Sequence, residues 1–502
     1  MMLLTDEQIL NFKRCRRRTY LDTYGNLQEK DATKEFLLKL KKEHQAHINN
    51  VIACLGLNYH QPIASSTQWW DKAAETLALM QQGVDCIYDG KLALRAFNWR
   101  SLWEDNVEHS NSTEEIVFLA SPTLLIKQPG SSIFGDWVYL PINVKLGRRP
   151  KPEYKLIATF QAQILATIQG VLPSQSQLIL RQQDSYLIDL EYWLPKMRAI
   201  VADCLEMLSV EAEPEVFISR QRCNLCHWYS HCYNQAKSQQ HLSLIPGVTP
   251  KRYEYLISIG IETVESLADL THRNLEENIG TDIAIQLKKQ ALAILQQQPI
   301  LKSELNSVIK KTITHAGIEL YFDIEAEPDL NLDYLLGVLV VDKQNKSEKF
   351  YPFLAENPES ERIIWQQFLD LVNLYPYAPI YHYSEYEVDT IKRLGKLYGT
   401  QKKHILSIIS RSVDLHSLIT KSVFLPVENY SLKTLANWIG FQWRDPGASG
   451  DQCVCWYDGW LTTKNRSLLE AILRYNEDDC RATRYLKDWL VEFTLQSPIT
   501  KN

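Results

Sequence analysis

The chain has 502 residues, which is long enough for two to four domains. It is 45% hydrophobic and 23% charged, an ordinary composition for a soluble protein. The formal net charge of −6 excludes a globally basic nucleic-acid binder, although local basic patches remain possible.

The start of the chain, residues 1–7, has no basic segment followed by a long apolar core, so it does not have the pattern of a secretory signal. No apolar run approaches the roughly 18–20 residues of a membrane span. We therefore expect a cytoplasmic protein without membrane partners. In that compartment the ten cysteines are not expected to form disulfides.

Six cysteines lie in apolar or mixed surroundings and are interpreted as core residues. They are Cys54, Cys86, Cys204, Cys453, Cys455 and Cys480. Three others form a C-x2-C-x5-C cluster at Cys223, Cys226 and Cys232. Thiolates this close in sequence indicate a metal with a fourth ligand. His227 or His231 would complete a zinc site, whereas Cys15, within the basic run 13–18, would complete an all-cysteine site.

An N-terminal cysteine followed far downstream by C-x2-C-x5-C resembles the RecB-like nucleases that carry a [4Fe-4S] cluster, and segments 134–145 and 168–173 extend the resemblance. It implies a restriction-endonuclease-like α/β domain over residues 1–240, with the cluster held by Cys15, Cys223, Cys226 and Cys232. Zinc is the alternative. The basic run around Cys15 is either a solvated helix face or a phosphate contact.

The catalytic motifs of that family are incomplete in this chain. The acid-x-Lys motif falls on Asn143 and Lys145, and the preceding aspartate position falls on Thr123. Neutral side chains cannot replace two carboxylates as ligands for a hard divalent cation. The family's remaining motif positions fall on His44 or His47, Ile157 and Gln161. We therefore predict a domain that keeps its fold and cluster, has lost its chemistry, and binds nucleic acid or is structural.

The middle of the chain, residues 241–300, reads as two short helices joined by a tight turn. Its Pro-Gly-Val segment resembles a helix-hairpin-helix module, an all-α unit whose turn offers backbone N–H groups to a phosphate. The resemblance assigns nucleic-acid binding to Gly247, Lys251 and Arg252. A plain helical linker is the alternative. A further helix, 283–298, ends before Pro299.

Two pairs of residues, one acidic and one made of a tyrosine and an aspartate, dominate the last 200 or so residues. Asp323 and Glu325 alternate along an apolar strand, so their side chains point the same way. Tyr475 and Asp479 are four residues apart in a helical pattern and share a helix face. Carboxylate oxygens suit Mg²⁺ or Mn²⁺, and two such ions can promote phosphodiester cleavage. Asp478 is interpreted as a solvated neighbour.

Residues 301–502 show three strands (318–324, 334–341 and 349–353), a helix at 359–375 and a strand at 379–383. This order resembles the RNase H-like α/β fold of DEDD-type 3′–5′ exonucleases. The resemblance implies that Asp323, Glu325 and Asp479 bind metal and that Tyr475 orients the attacking water. Glu387 stands where the family has aspartate, which puts the geometry of the second metal in doubt.

Other polar and aromatic residues here have two interpretations each. His382 either positions a phosphate or satisfies a core hydrogen bond. A helix capped by Ser431 and closed by Gly440 precedes a tryptophan-rich stretch, in which Trp443, Trp456 and Trp460 either stack on unpaired bases or belong to the core.

Nearly the whole chain resembles RecB-like nucleases with a YprB-type C-terminal domain. This α/β multidomain organisation implies a metal-dependent nuclease that acts on DNA or RNA, single-stranded or containing an end, through the C-terminal domain. The alternative is a non-catalytic iron–sulfur protein that binds nucleic acid and whose two nuclease sites are vestigial.

Overall fold

A computed structural model describes residues 1–56, 58–63, 68–97, 103, 115–182, 184–270, 279–302, 313 and 316–496. Its contacts divide the chain into an N-terminal unit, Met1–Val216 with Arg220–Cys232, and a C-terminal unit, Phe217–Ser219 with Tyr233–Asn502. In the described part of the chain, none of the helices combines the length and hydrophobicity that a membrane span requires.

The N-terminal unit mixes strands and helices along the chain. Its strands are β1 Met2–Thr5, β2 Tyr59–His60, β3 Cys86–Tyr88, β4 Leu92–Ala96, β5 Ile116–Ala120, β6 Leu124–Ser132, β7 Gly135–Val144, β8 Ser176–Ile179 and β9 Ser185–Ile188. Its helices are α1 Asp6–Arg14, α2 Arg16–Tyr24, α3 Glu35–Leu55, α4 Trp69–Gln82, α5 Pro152–Gln169, α6 Leu190–Val210 and α7 Arg220–Cys223, and the unit boundary falls within α8, Tyr229–Ser238.

Two sheets organise this unit. One has the order β1-β5-β4, and the other has the order β2-β3-β6-β7-β8-β9. Helix α5 is buried around most of its circumference because small and apolar residues such as Ala158, Phe160 and Ala162 leave room for the sheets on several sides. It therefore forms the centre of the N-terminal core.

The C-terminal unit begins with helices and continues as a strand–helix domain. Its strands are β10 Ile300–Leu301, β11 Ile318–Glu327, β12 Leu332–Asp342, β13 Ser347–Leu354, β14 Ile380–His382, β15 Ser412–Asp414 and β16 Val423–Phe424. Its helices are α9 Pro250–Ser258, α10 Val264–Ala268, α11 Thr281–Gln296, α12 Glu361–Leu374, α13 Tyr386–Leu397, α14 Lys402–Ile409, α15 Leu415–Ser422, α16 Leu432–Trp438, α17 Gly450–Thr463 and α18 Arg466–Gln496.

The main sheet of this unit has the order β13-β12-β11-β14-β15. Strands β11, β12 and β13 are antiparallel, whereas β14 and β15 run parallel to β11. Parallel pairing requires crossover connections, which α12 and the pair α13–α14 supply. The predicted three strands followed by alternating helices and strands are present, with ends shifted by a few residues.

Helices cover the two faces of this sheet. Alternate residues of β11 point to opposite faces, and Phe322 packs against Phe368 of α12 with ring centroids 4.7 Å apart. On the other face, Tyr321 shares a core with Cys480 and Leu486 of α18. Helix α18 is 31 residues long and packs against β11, β12 and β14.

Candidate active site

Strand β11 presents two acidic side chains on the face that α18 covers. Asp323 and Glu325 flank Ile324, which points the opposite way into the core beneath α12. The pairing with β12 is regular up to Glu325 and shifts between Glu325 and Ala326. Such a bulge bends the strand, so regular pairing ends directly after the second acid.

Helix α18 supplies the third carboxylate. Tyr475 and Asp479 lie one turn apart on the helix face directed at β11. Oxygens of Asp323, Glu325 and Asp479 all lie within 4.8 Å of one another. Within the described part of the chain, no other three histidine, cysteine or acidic side chains come this close.

The three carboxyl groups disfavour one another's ionised forms. Burial, followed by repulsion from Asp479, raises the pKa of Asp323 and of Glu325 well above the usual range. Burial also raises the pKa of Asp479 to about 7, although hydrogen bonds from Trp443 and Tyr475 oppose the rise. A divalent cation would offset both the desolvation and the repulsion, so the donor set fits Mg²⁺ or Mn²⁺.

Asn476 holds the strand acids in place. Its Nδ2 donates to Asp323 Oδ2 at 2.7 Å, and it also hydrogen-bonds Glu325. Gly337 of β12 pairs with Asp323, and a Cβ at this glycine would overlap Asn476 Oδ1. The sequence analysis missed both residues. Asn476 could have been found from its place on the same face as Asp479, but nothing in the local sequence indicates the role of Gly337.

Trp443 orients the acid on the helix. Its Nε1 donates to Asp479 Oδ1 at 2.7 Å, and the indole is buried. Lys433 lies 5.7 Å from the centroid of this ring and donates to the carbonyl oxygens of Pro446 and Ala448 at 2.9 and 2.7 Å. Of the two interpretations of Trp443, the interior one is therefore correct.

Two further protonated groups contact the acids. The Tyr475 hydroxyl hydrogen-bonds Asp479, and the Cys453 thiol hydrogen-bonds Glu325. Burial first, and then the neighbouring carboxylates, raise the pKa of both groups far above neutrality. Both therefore remain hydrogen-bond donors at neutral pH.

Glu387 lies close to this centre but outside the group of three. It is buried in the first turn of α13, where its Oε2 accepts a hydrogen bond from Ser384 Oγ at 2.9 Å. Its charge contributes to the raised pKa of Asp323. His382 is buried and its Nδ1 lies 2.7 Å from the carbonyl oxygen of Ser384, as its core interpretation predicts.

The prediction that Asp478 is a solvated neighbour is wrong. Its side chain is buried and paired with Arg444, whose Nε donates to Oδ1 at 2.8 Å while its backbone N–H donates to Oδ2 at 2.9 Å. Because Arg444 directly follows Trp443, this pair fastens the tryptophan-bearing loop to α18.

In the N-terminal unit, the predicted degenerate site is occupied by neutral groups that bond one another. Thr123 Oγ1 accepts from the backbone N–H of Val144 at 3.1 Å, and Asn143 Nδ2 donates to Gln161 Oε1 at 2.6 Å. His44 Nε2 lies 2.9 Å from the carbonyl oxygen of Val144. The structure thus brings these motif positions together without a carboxylate from the motifs themselves.

One acid missed by the sequence analysis does reach this pocket. Asp6 Oδ2 accepts from Gln161 Nε2 at 2.7 Å and from the backbone N–H of Ser121 at 2.8 Å. Burial lowers the pKa of Lys145, and the charge of Asp6 opposes the shift. Among the described residues, no acidic cage comparable with that of the C-terminal unit surrounds Lys145.

The four proposed cluster cysteines are all half-buried. Burial raises the pKa of Cys226 and Cys232, and the charge of Cys15 adds to both rises, which shows that these thiols are near one another. Cys223 ends α7. By contrast, Cys54 is exposed, so its interpretation as a core residue is wrong.

The two candidate zinc histidines have carboxylate partners. His227 Nε2 lies 2.6 Å from Asp22 Oδ1, and His231 Nδ1 lies 2.8 Å from Glu29 Oε2.

In the hairpin region, Gly247 has a φ of 95°, a conformation that favours glycine. There, Arg252 Nη1 donates to the carbonyl oxygen of Gly247 at 2.6 Å, and Lys251 is exposed.

A protein-family model described as the RNase H superfamily matches residues 320–491, which contain the three clustered acids. A search of curated proteins finds no match. Together with the strand order, the family match confirms the predicted RNase H-like fold of the C-terminal domain within a mixed α/β multidomain protein. A domain of this superfamily suggests a nuclease-type phosphodiester hydrolase that acts on nucleic acid and typically uses divalent metal ions. The RecB-like, hairpin and iron–sulfur assignments stay predictions.

Proposed function

We propose that the chain is a metal-dependent 3′–5′ exonuclease that hydrolyses single-stranded nucleic acid in its C-terminal domain, residues 301–502. The observation that carries the proposal is the meeting of Asp323, Glu325 and Asp479 within 4.8 Å on a domain of the RNase H superfamily. The chain keeps these three acids together although burial and repulsion oppose their ionisation.

Asp323, Glu325 and Asp479 are the metal ligands in this proposal, and Glu387 of α13 would join them near Asp323. Bound divalent cations would activate water and stabilise the leaving oxygen. Asn476 and Trp443 keep the carboxylate oxygens directed into the centre through their hydrogen bonds.

Tyr475 orients the attacking water. Its hydroxyl stays protonated because burial raises its pKa. It can therefore donate a hydrogen bond, and its neighbour Asp479 would hold the cation. This role follows from the predicted resemblance and from the contact between the two side chains.

The rest of the chain would bind the substrate. We propose that residues 1–240 form a RecB-like domain without catalysis and that residues 241–300 form a hairpin module contacting phosphates through Gly247, Lys251 and Arg252. Cys15, Cys223, Cys226 and Cys232 would hold a [4Fe-4S] cluster. The proximity of three of these thiols and the hydrogen bond from Arg17 to Cys232 support a site for thiolates.

The direct test is digestion of end-labelled single-stranded DNA and RNA with Mn²⁺. Wild type should shorten the strand from its 3′ end. Substrates labelled at the 5′ end and at the 3′ end distinguish this direction from digestion that starts at the 5′ end. Asp323→Asn should be inactive, whereas Asp370→Asn, which neutralises an exposed aspartate on α12, should retain activity. Visible charge-transfer absorption of the purified protein would distinguish an iron–sulfur cluster from zinc.

Binding of the strand without cleavage by either wild type or Asp323→Asn would overturn the exonuclease proposal. It would favour the non-catalytic binding protein instead. The position of Glu387 outside the group of three is the observation that favours this second candidate.

A further inference from the structure

A half-open cavity lies within the C-terminal unit, between the hairpin region and the short β10–β16 pair. Its volume is about 160 Å³, which is room for several water molecules. Arg252 lines it from α9, and Lys302 follows β10 on another side. None of the described residues that line it is acidic.

The two cations at this cavity have carbonyl partners and no carboxylate partner within the described part of the chain. Lys302 Nζ donates to the carbonyl oxygen of Thr420 at 2.6 Å and lies 4.1 Å from the ring centroid of Phe424. Arg252 uses one guanidinium nitrogen on the carbonyl oxygen of Gly247. Both side chains therefore have N–H groups left to donate.

Another lysine of this unit shows how a carboxylate compensates a buried positive charge. Lys487 is buried on α18, and its Nζ lies 3.0 Å from both carboxylate oxygens of Glu319. Lys302 is half-buried, and desolvation lowers its pKa, with no described acidic group opposing the shift. Within the described residues, the positive charge of Lys302 thus has no compensating carboxylate, which indicates an anionic ligand.

We propose that this cavity binds a phosphate group. A guanidinium presents paired donors that match phosphate oxygens, and an ammonium adds a compact charge on the same ligand. Gln286 and Tyr430 also line the cavity. The phosphate would come either from a nucleic-acid backbone or from free phosphate or a mononucleotide. The site is distinct from the carboxylate centre and requires no metal ion.

The test measures binding to full-length Asp323→Asn protein without added divalent cation, so that no turnover is needed. The probes are inorganic phosphate, a nucleoside monophosphate and a short single-stranded oligonucleotide. In this background Arg252→Gln and Lys302→Gln should each weaken binding about tenfold and lower the salt slope by about one. Lys289→Gln removes an equal charge from an exposed position on α11 and should leave binding unchanged.

Saturable binding of free phosphate or the mononucleotide, lost in both cavity variants, would support a free ligand. Binding of the oligonucleotide alone, with the same losses, would support a backbone phosphate. Equal affinities in all variants, or binding of none of the three probes, would overturn the proposal. If circular dichroism shows that Lys302→Gln does not fold, the binding measured with Arg252→Gln decides whether the cavity binds phosphate. The experiment measures binding and not cleavage. A negative result would therefore disprove the phosphate site without bearing on the proposed hydrolysis.

Discussion

The pocket around Lys145 and the pocket around Asp323 are built in similar ways but hold opposite chemistry. In each, side chains from strands meet a side chain from a helix: Asn143 meets Gln161 in one, and Asp323 meets Asp479 in the other. The N-terminal pair, Asn143 and Gln161, is neutral, and its side chains hydrogen-bond each other. The C-terminal groups are acidic and repel one another.

This difference shows why clustered carboxylates destabilise the folded state when no cation neutralises them. Thr123 Oγ1 and Asn143 Nδ2 have hydrogen-bond partners within the protein, whereas Asn143 Oδ1 is buried and has none among the described residues. Because these groups are neutral, their pocket avoids charge repulsion without a ligand. Three carboxylates within 4.8 Å of one another lower the stability of the folded protein when they ionise without a counter-ion. An arrangement so unfavourable by itself is expected where a bound cation recovers the loss.

The strongest test of the comparison removes one charged group from each pocket. Asp323→Asn should lower Mn²⁺-dependent cleavage by about 10³-fold or more, because it removes several kcal/mol of charge stabilisation. Lys145→Met should leave the cleavage rate unchanged. Initial rates on a labelled single strand measure both. A loss of activity in Lys145→Met would show that the N-terminal pocket contributes to the chemistry.

A smaller effect is expected from crowding the C-terminal centre without changing its charge. In Gly337→Ala, the new Cβ would displace Asn476 and with it the Asp323 carboxylate. We expect a fall in kcat of about 10²-fold, since displacement by about 1 Å has this effect. Gly447→Ala is the control, because a Cβ there meets no atom within 4 Å. Equal activity of the two variants would contradict the role assigned to Asn476.

The hydrogen bond from Trp443 should have a weaker influence. Trp443→Phe keeps an aromatic ring but removes the donor to Asp479, so the pKa of Asp479 should rise further. Mn²⁺ affinity should fall about tenfold, as for other residues that orient metal ligands. Calorimetric titration with Mn²⁺ measures the change, and Trp456→Phe, on the neighbouring helix α17, is the control. Unchanged affinity in Trp443→Phe would exclude a positioning role.

The last effect is on stability rather than on catalysis or metal binding, and it concerns pH in the metal-free protein. The pKa of Asp479 is about 7 in the folded state and near 3.8 when unfolded, so its contribution is most favourable below about pH 4 and is lost as pH rises through about 7. The loss should be about 2–4 kcal/mol. Thermal melts near pH 5 and pH 8 should show this fall, and Mn²⁺ should reverse it at the higher pH. Asp479→Asn should show a smaller fall with pH. A wild-type melting temperature insensitive to Mn²⁺ would argue against the cation site.

The sequence by itself determined the order of the acids and their local directions. The alternation at Asp323 and Glu325 and the four-residue spacing of Tyr475 and Asp479 follow from the periods of strand and helix, which are local properties. The succession of strands and helices along the chain was predictable for the same reason, whereas the RNase H-like fold was implied by the family resemblance. The burial of Asp478 was not, because its partner Arg444 lies outside the helix that carries it.

Tertiary structure alone decided which distant groups complete each pocket. Asn476 meets Asp323 across 153 positions of sequence, and Asp6 meets Gln161 across 155. Gly337 matters only because α18 passes directly over it. Such contacts depend on how helices lie against a sheet, and this is set by the packing of many residues together, which no local pattern records.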